Sequence, residues 1–541
     1  MLLIEELSEN TKEVAKGSIW GLSGNLLLKL VSFFYAIVIA RLVSQDDIGI
    51  FYLTLGILQI ISMFSYLGLP FSLQRYVPFY ESKKELGKAK YLLKLSYLVV
   101  ILASIIFIAG LWMSADFIGE LYQNSVLSES IRLFSVYLFL YGISTVQTTY
   151  LQGRTAIRSM QLATNVQNVS KLILTIAFFY FMGPSVFTLI WAFLASFAIS
   201  DIVSLYLLYR RSRDLPKASQ SIPRKELFGE IMPLGIIVSV IASITLFVQA
   251  ADKILLGYLL PDSMDLVGAY GIATAFSMLL FVFPSAIGII FLPIISRLVG
   301  KNDFSQIRAT TETAMRWAFM ISIPVAVIII AFSENMLVIF YGDSYLIAAV
   351  AMAIFTLAVL VKSFSMMLSL ALAAMRKIRL ELKITLVLGI VNVIFNVLLI
   401  PQFGMEGAAI ASLIGFITTF FLLNYYCNKI FQFKLQPEAY KLILAGGVTL
   451  AIMLLISPYA SVELPSIGPE SLAPYTSKVL YLLFLGIFAA IAFSLFILFS
   501  LILKCFKTED KLLMKQILTK AGLPVPIISI AEKTAALGVS D

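Results

Sequence analysis

The sequence predicts an all-α polytopic membrane protein, and three observations carry that prediction. Hydrophobic residues fill 60% of the 541 positions and charged residues only 13%, against roughly half and a quarter in soluble domains. The apolar residues gather in runs of about 20, long enough to cross about 30 Å of hydrocarbon, and mean hydropathy is +0.95. Lys and Arg gather in every second connection between those runs.

Fourteen spans follow, at 17–41, 48–69, 91–113, 132–152, 160–182, 185–209, 230–252, 267–293, 314–333, 345–374, 381–400, 404–427, 440–457 and 476–504. Their connections alternate between two faces, and the face rich in Lys and Arg is the cytoplasmic one. Assigned this way, 32 of the 40 Lys and Arg fall on the inner face and three (Arg41, Lys253 and Lys478) on the outer face. Both termini are therefore expected in the cytoplasm, with the chain in the cell (plasma or inner) membrane. The start, MLLIEELSENTKEVAKGS, is acidic and polar and lacks the basic opening of a signal peptide. The net charge of +9 is then mostly topology, with some attraction to anionic lipid, and no nucleic-acid partner is expected.

The chemistry these residues exclude is broad. The chain has no His, and Cys427 and Cys505 have no spacing of a metal or redox site. Neither a metal nor a cofactor is expected. No GxxxxGK[ST] phosphate loop occurs, so ATP hydrolysis by this chain is not expected. In the tail, TEDKLLMKQILTKAG reads as a short amphipathic helix on the membrane surface.

The chain also repeats itself. DDIGIFYLTL at 46–55 and DLVGAYGIAT at 265–274 share an Asp, a Gly three residues on and an aromatic two after that, and their Gly49 and Gly268 lie 219 residues apart. LQGRTAIRS at 151–159 aligns with LAAMRKIRL at 372–380, Gly183 with Gly404, and Leu69-Pro70 with Leu292-Pro293, at offsets of 221 to 223. Two six-span halves of one orientation account for this, since such parallel repeats bind their substrates between the halves. The organisation is thus a lobe at 1–218 (spans 1–6), a second at 219–432 (spans 7–12), two added spans within 433–505 and a cytoplasmic tail at 506–541. Gly49 and Gly268 are expected to turn the chain at the membrane surface, with the neighbouring aromatics as interfacial anchors.

Three lysines stand near the middle of spans: Lys29, Lys171 and Lys362. A Lys at that depth costs about 2.5–3.5 kcal/mol on insertion scales, so each implies a wet cavity or a buried partner. Around Lys29, the residues Ser18, Gly21, Asn25, Ser32 and Ala36 recur at helical spacing. Span 5 adds Thr164, Asn168, Lys171 and Thr175, repeated 221 residues on as Thr385, Gly389, Asn392 and Asn396. Span 4 offers Tyr137, Tyr141, Ser144 and Thr148, and span 7 offers Thr245, Gln249 and Asp252 beside Lys253. Small polar stripes also pack membrane helices together, and both readings stay open for the Ser, Thr and Gly members. Asp252 and Lys253 could pair with each other, and Arg75 could be only a cytoplasmic anchor. Acids are expected near span ends rather than at mid-membrane. An interior of this charge favours an anionic cargo such as a phosphate or pyrophosphate head group. The candidate substrate-binding residues are Asn25, Lys29, Arg75, Tyr141, Asn168, Lys171, Gln249, Lys253 and Lys362.

Several stretches carry a family resemblance: VIARLVSQDDIGIFYL, YLGLPFSLQRYVPFY, DKILLGYLLPDSMDLVGAYGIA and, most clearly, NVIFNVLLIPQFGMEGAAIASLIGF at 392–416. In their order and spacing the chain resembles the polysaccharide-transporter branch, the O-antigen-type flippases, of the multidrug/oligosaccharidyl-lipid/polysaccharide exporter superfamily. The resemblance implies two pseudo-symmetric six-helix lobes in a V around a central cavity, with two extra C-terminal helices. It also implies alternating access that carries a polyprenyl-phosphate- or pyrophosphate-linked oligosaccharide from the inner to the outer leaflet for cell-surface glycan assembly. Cationic cavity residues in the first and seventh spans are typical of the family, which fits Lys29 and Lys253. The expected partners are that anionic lipid-linked oligosaccharide, membrane lipid and glycan polymerase or ligase machinery. The alternatives are an ion-coupled multidrug exporter of the same superfamily, which the lack of mid-membrane acids disfavours, and a glycan polymerase or ligase, which needs catalytic groups on a sizeable outer loop, whereas the longest outer loops (114–130 and 458–475) hold few candidates.

Overall fold

The computed structural model describes residues 9–65, 68–211, 221–260, 263–457 and 473–507, and the surface helix expected in the tail lies outside them. In chain order the helices are α1 (Glu9–Leu42), α2 (Gln45–Ser65), α3 (Leu69–Ser82), α4 (Leu86–Leu121), α5 (Ser125–Phe134), α6 (Tyr137–Gly153), α7 (Ile157–Met182) and α8 (Val186–Arg211). They continue as the short α9 (Arg224–Glu226), α10 (Met232–Leu259), α11 (Met264–Ser277), α12 (Val282–Gly300), α13 (Phe304–Ala331), α14 (Ser333–Phe340), α15 (Ala349–Ala374), α16 (Ile378–Phe431), α17 (Pro437–Ile456) and α18 (Ala473–Ile502). Among the described residues, eleven helical segments are long and apolar enough to cross a membrane. The chain is an all-helical, multi-pass membrane protein.

Hydrocarbon leaves no water for unpaired backbone groups, so helices are the expected solution. Their breaks fall where the sequence supplies a turn residue. The stretch after the second span, expected as a loop, folds as α3: Gly68 takes φ 75° and Pro70 opens the helix, a position where a missing N–H costs nothing. Asp303 caps α13 by accepting the Gln306 N–H at 3.0 Å, and this bond holds its exposed carboxyl below the usual carboxylate range. Inside α16, Gly404 leaves helical geometry at φ 56° and ψ −128°, so two helices run on from each other there.

The backbone carries the repeat more plainly than the side chains do. Left-handed residues occur in pairs at nearly constant offset: Lys84 with Asn302, Gln123 with Gly342, Thr155 with Arg376, and Gly183 with Gly404. The offsets run from 218 to 221 residues, and each member stands at a helix end or a helix break. Non-glycine residues avoid φ above zero, so four coincidences at one spacing mark a duplicated plan of helix lengths.

The chain forms two compact units, one of residues 1–282 and 376–419, the other of residues 283–375 and 420–541. In the first unit, α2 runs against α10 and α11, α7 packs on α1 and α8, and α6 packs on α3, α4 and α8. Its buried apolar cluster draws Leu73, Val77 and Tyr80 from α3, Leu92 from α4 and Tyr150 from α6. At the end of that cluster, the Tyr80 hydroxyl donates to Glu226 at 2.8 Å and Arg154 pairs with Glu81 at 2.7 Å. In the second unit α13 is central, packed by α15 and α17, with α18 on α17. There Lys507 donates to Gln436 at 2.6 Å, and Arg316 donates to the same oxygen at 3.1 Å. Cys505, just beyond α18, is a free thiol that burial pushes up to about 11.

The two glycines of the first repeat do not turn the chain. Gly49 lies within α2 and Gly268 within α11, and neither has positive φ. They face each other instead. A Cβ on Gly49 would strike the Met264 carbonyl and lie 3.2 Å from the Gly268 nitrogen; one on Gly268 would strike the Gln45 carbonyl and lie 3.0 Å from the Gly49 nitrogen. The aromatics are likewise buried rather than interfacial, with Phe51 and Tyr270 each 1% exposed. The obstacle in both directions is backbone, which cannot rotate away. Gly49→Ala and Gly268→Ala should therefore each lower stability by about 1–3 kcal/mol, read as a fall in the unfolding midpoint of the purified protein. An unchanged midpoint in both variants would refute this contact.

Candidate functional site

Lys171 and Lys253 come to one region of the first unit, each held by an aromatic face. The Lys171 Nζ stands 4.3 Å from the centre of the Tyr35 ring and 5.7 Å from that of Phe193. The Lys253 Nζ stands 5.3 Å from the Tyr52 ring centre, and Tyr35 and Tyr52 are themselves within interaction range. Two ammonium groups thus flank a pair of tyrosines supplied by α1 and α2. Cation–π contact stabilises each ammonium without neutralising it. Among the described residues no acid forms an ion pair with Lys29, Lys171 or Lys253.

The remaining sequence-predicted residues divide into groups. On α1, Asn25 accepts from Gln161 of α7 at 3.1 Å, while Lys29 is half-buried and has no bond to a described residue. Asn168 is buried, donates to the Thr164 carbonyl at 2.9 Å and lies 3.5 Å from the Lys171 ammonium. Tyr141 stacks on Tyr137 at 5.0 Å in an aromatic cluster that includes Phe193 and Phe197, continuous with the rings that hold Lys171. Gln249 is exposed on α10 and bonds its own helix at Thr245. Arg75 is exposed on α3 beside Tyr76, and Lys362 is half-buried on α15 of the second unit. Asn25, Tyr141, Asn168, Lys171 and Lys253 therefore belong to connected surfaces of the first unit, and Lys362 lies in the second.

Asp252 does not pair with Lys253. It is 2% exposed and saturated by donors from three helices. Its Oδ1 accepts from Asn392 at 3.2 Å and Asn396 at 2.9 Å; its Oδ2 accepts from Ser412 at 2.7 Å and Tyr270 at 3.0 Å. Both Asn392 and Asn396 are fully buried. Asp252 is thus a buried carboxylate on α10, and Asp201 on α8 is a second, 8% exposed. The signal was the Asn pair four residues apart in the eleventh span. Two amides on one buried helical face need an acceptor, and Asp252 is it.

This is the architecture of a helical membrane carrier: charge and polar groups placed inside an apolar bundle, with no cluster of three or more His, Cys, Asp or Glu fit for a metal among the described residues. Residues 14–299 match the profile of the polysaccharide biosynthesis protein family, and residues 236–398 match that of the MatE family. The chain belongs to the polysaccharide biosynthesis protein family, within the exporter superfamily that the quoted stretches indicated. An uncharacterised membrane protein of Methanocaldococcus jannaschii is 23% identical over 81% of this chain and 88% of its own length. A probable low-salt glycan biosynthesis flippase of Haloferax volcanii is 27% identical over 37% of this chain and 42% of its own. The fold resembles that of the lipid II flippase MurJ in an inward closed conformation, with TM-score 0.62 at 15% identity over 87% of this chain and 98% of that one. The relatives whose names state an activity are flippases and transporters, not enzymes.

The Asp252 network makes a graded prediction. In Asp252→Asn the remaining oxygen can serve Asn392 and Asn396, while the new amide donates to the Ser412 and Tyr270 hydroxyls once these turn. Asp252→Leu removes this acceptor altogether; Asn392 keeps Ser412 and Asn396 keeps Asn392, so the Ser412 and Tyr270 hydroxyls lose most. The leucine variant should lose on the order of 3 kcal/mol, the cost of one or two buried unsatisfied groups, and the asparagine variant much less. Comparing their unfolding midpoints checks this, and equal losses would remove the network from the account.

Proposed function

We propose that the protein is a flippase for lipid-linked oligosaccharide, carrying an anionic polyprenyl-phosphate or pyrophosphate head group with its sugars from the cytoplasmic to the outer leaflet. The observation that carries this reading is the set of lysines held in the membrane-spanning region by aromatic rings rather than by acids. Such charge attracts phosphate and repels cationic drugs. Membership of the polysaccharide biosynthesis protein family supports the substrate class.

In this reading the chain spans the membrane fourteen times with both ends in the cytoplasm. The eleven apolar segments support this count when α16 is taken as two at Gly404 and the more polar α2 and α7 are added. Residues 1–218 and 219–432 act as two lobes around a shared cavity, with α17 and α18 as additions. Lys29, Lys171 and Lys253 contact phosphate, Asn25, Tyr141, Asn168 and Gln249 contact sugar, and Arg75 and Lys362 extend the cationic path. The lipid tail stays in the bilayer. Rocking of the lobes then exposes the head group on the other side, and the cargo drives that change only as far as its affinity differs between the two states. Glycan polymerase or ligase machinery takes the delivered product.

The match of residues 236–398 to the MatE family favours one other reading, an ion-coupled multidrug exporter. The two separate by experiment. Lys29→Ala should abolish glycan export at least tenfold while the protein remains folded and inserted, and Lys29→Arg should retain part of it. A deletion strain should accumulate lipid-linked glycan on the cytoplasmic leaflet. Normal export by Lys29→Ala would sink the role of that lysine, and resistance to cationic dyes on expression would favour the exporter.

A further inference from the structure

A cavity of about 550 Å³ opens where the start of α7 meets the end of α8. Arg158, Ser159 and Leu162 line it from α7, Leu207 and Arg210 from α8. The two helices pack against each other within the first unit, so both walls belong to one body. Lys171 stands 13 residues beyond Arg158 on α7, about 20 Å along the helix, which separates this cavity from the lysine region. Arg158 and Arg210 are exposed at the rim, and Ser159 beside them is buried. The leucines lie one turn deeper, Leu162 four residues after Arg158 and Leu207 three before Arg210. The cavity is therefore cationic at its mouth and apolar below, and Leu162 keeps 49% of its surface uncovered. Tyr206 and Tyr209, flanking Leu207 on α8, are exposed too, as tyrosines are at the level of lipid head groups.

We propose that this cavity holds the phosphate head group of an anionic glycerophospholipid from the leaflet on that side, with the start of an acyl chain on Leu162 and Leu207. Two guanidinium groups on one rim repel each other, and an anion between them relieves that repulsion. A phosphate diester suits both, since each guanidinium presents a planar fork of five N–H donors, more than one contact uses. The first turn of α7 adds to the attraction. Its cap, Ala156, offers no side-chain acceptor, and the positive end of the helix faces the same rim. A phosphate free in solution would use the arginines and leave the leucines bare, whereas a lipid covers both. The repeat supplies an internal comparison. At an offset of 221, Arg158 corresponds to Arg379, but Arg210 corresponds to Phe431 and Leu162 to Lys383. General attraction of membrane-flanking cations to anionic lipid would treat both corners alike, and a built site would not. The inference does not depend on the identity of the transported cargo.

The test uses the purified full-length protein in detergent micelles doped with phosphatidylglycerol or with phosphatidylcholine. A ligand that binds the folded state alone raises the unfolding midpoint with concentration. Phosphatidylglycerol should raise it in a saturable manner, and neither phosphatidylcholine nor glycerol phosphate in solution should do so. The double variant Arg158→Gln/Arg210→Gln should lose the response. Arg210→Gln alone should raise the half-saturating lipid concentration several-fold, and Arg379→Gln should leave it in place. If the double variant does not fold, the two single variants, both at exposed positions, decide. A flat response to phosphatidylglycerol, an equal one to phosphatidylcholine, a full one to glycerol phosphate, or equal effects of Arg210→Gln and Arg379→Gln would each overturn the proposal.

Discussion

The packing of the first unit rests on one constraint, the backbone-to-backbone approach of α2 and α11. Helices that meet through ordinary side chains stand 8–10 Å apart; two that meet at glycine come closer, since no Cβ intervenes. At Gly49 and Gly268 each helix places its carbonyls where the other's side chain would be. That approach sets the position of α10, which runs along the same face of α2, with Gly56 against Ala250 and Ile254. It also sets Tyr52, whose ring lies on Gly271 on one side and receives Lys253 on another. The cationic region is therefore assembled by a contact that carries no charge.

Polar groups inside the bundle follow from the scarcity of partners there. In water a lysine or an aspartate needs no neighbour, whereas in hydrocarbon an unmatched one is expensive. The protein resolves this differently for each sign. Lys171 and Lys253 lean on tyrosine and phenylalanine faces, which steady a positive charge and leave it available. Asp252 is enclosed by amides and hydroxyls that neutralise its demand for donors without a counter-charge, and it thereby ties α10 to α11 and to both parts of α16. Cations rest on rings and this anion is enclosed by donors, so neither arrangement calls on a residue of opposite charge.

Much of this could be read from the residues alone. The membrane class, the run lengths, the duplicated plan and the interest of Lys171, Lys253 and Asn168 followed from composition, charge placement and helical spacing, because those properties are local. What escaped was set by neighbours distant in sequence. Gly49 has the same identity in a turn as in a helix contact, and only the facing Gly268 decides between them. Asp252 and Asp201 look peripheral when counted from span ends, yet the helices packed around them bury both. Tyr35 and Tyr52 had no mark of their own until two lysines came to rest against them. The α3 segment carried three charged or amide residues (Gln74, Arg75 and Glu81) and read as a loop. Its apolar face, Leu69, Leu73, Tyr76, Val77 and Tyr80, makes it a helix once α4 and α6 are there to cover that face.

Gly68 and Gly235 make a second contact of the same kind. A Cβ on Gly235 would lie 2.8 Å from the Gly68 carbonyl carbon, so the backbone just past the far end of α2 lies directly on α10. The chain of α2 is thus fastened to α11 near its start and, just beyond its end, to α10. Neither fastening interlocks side chains, so either can part without any rotamer having to unwind.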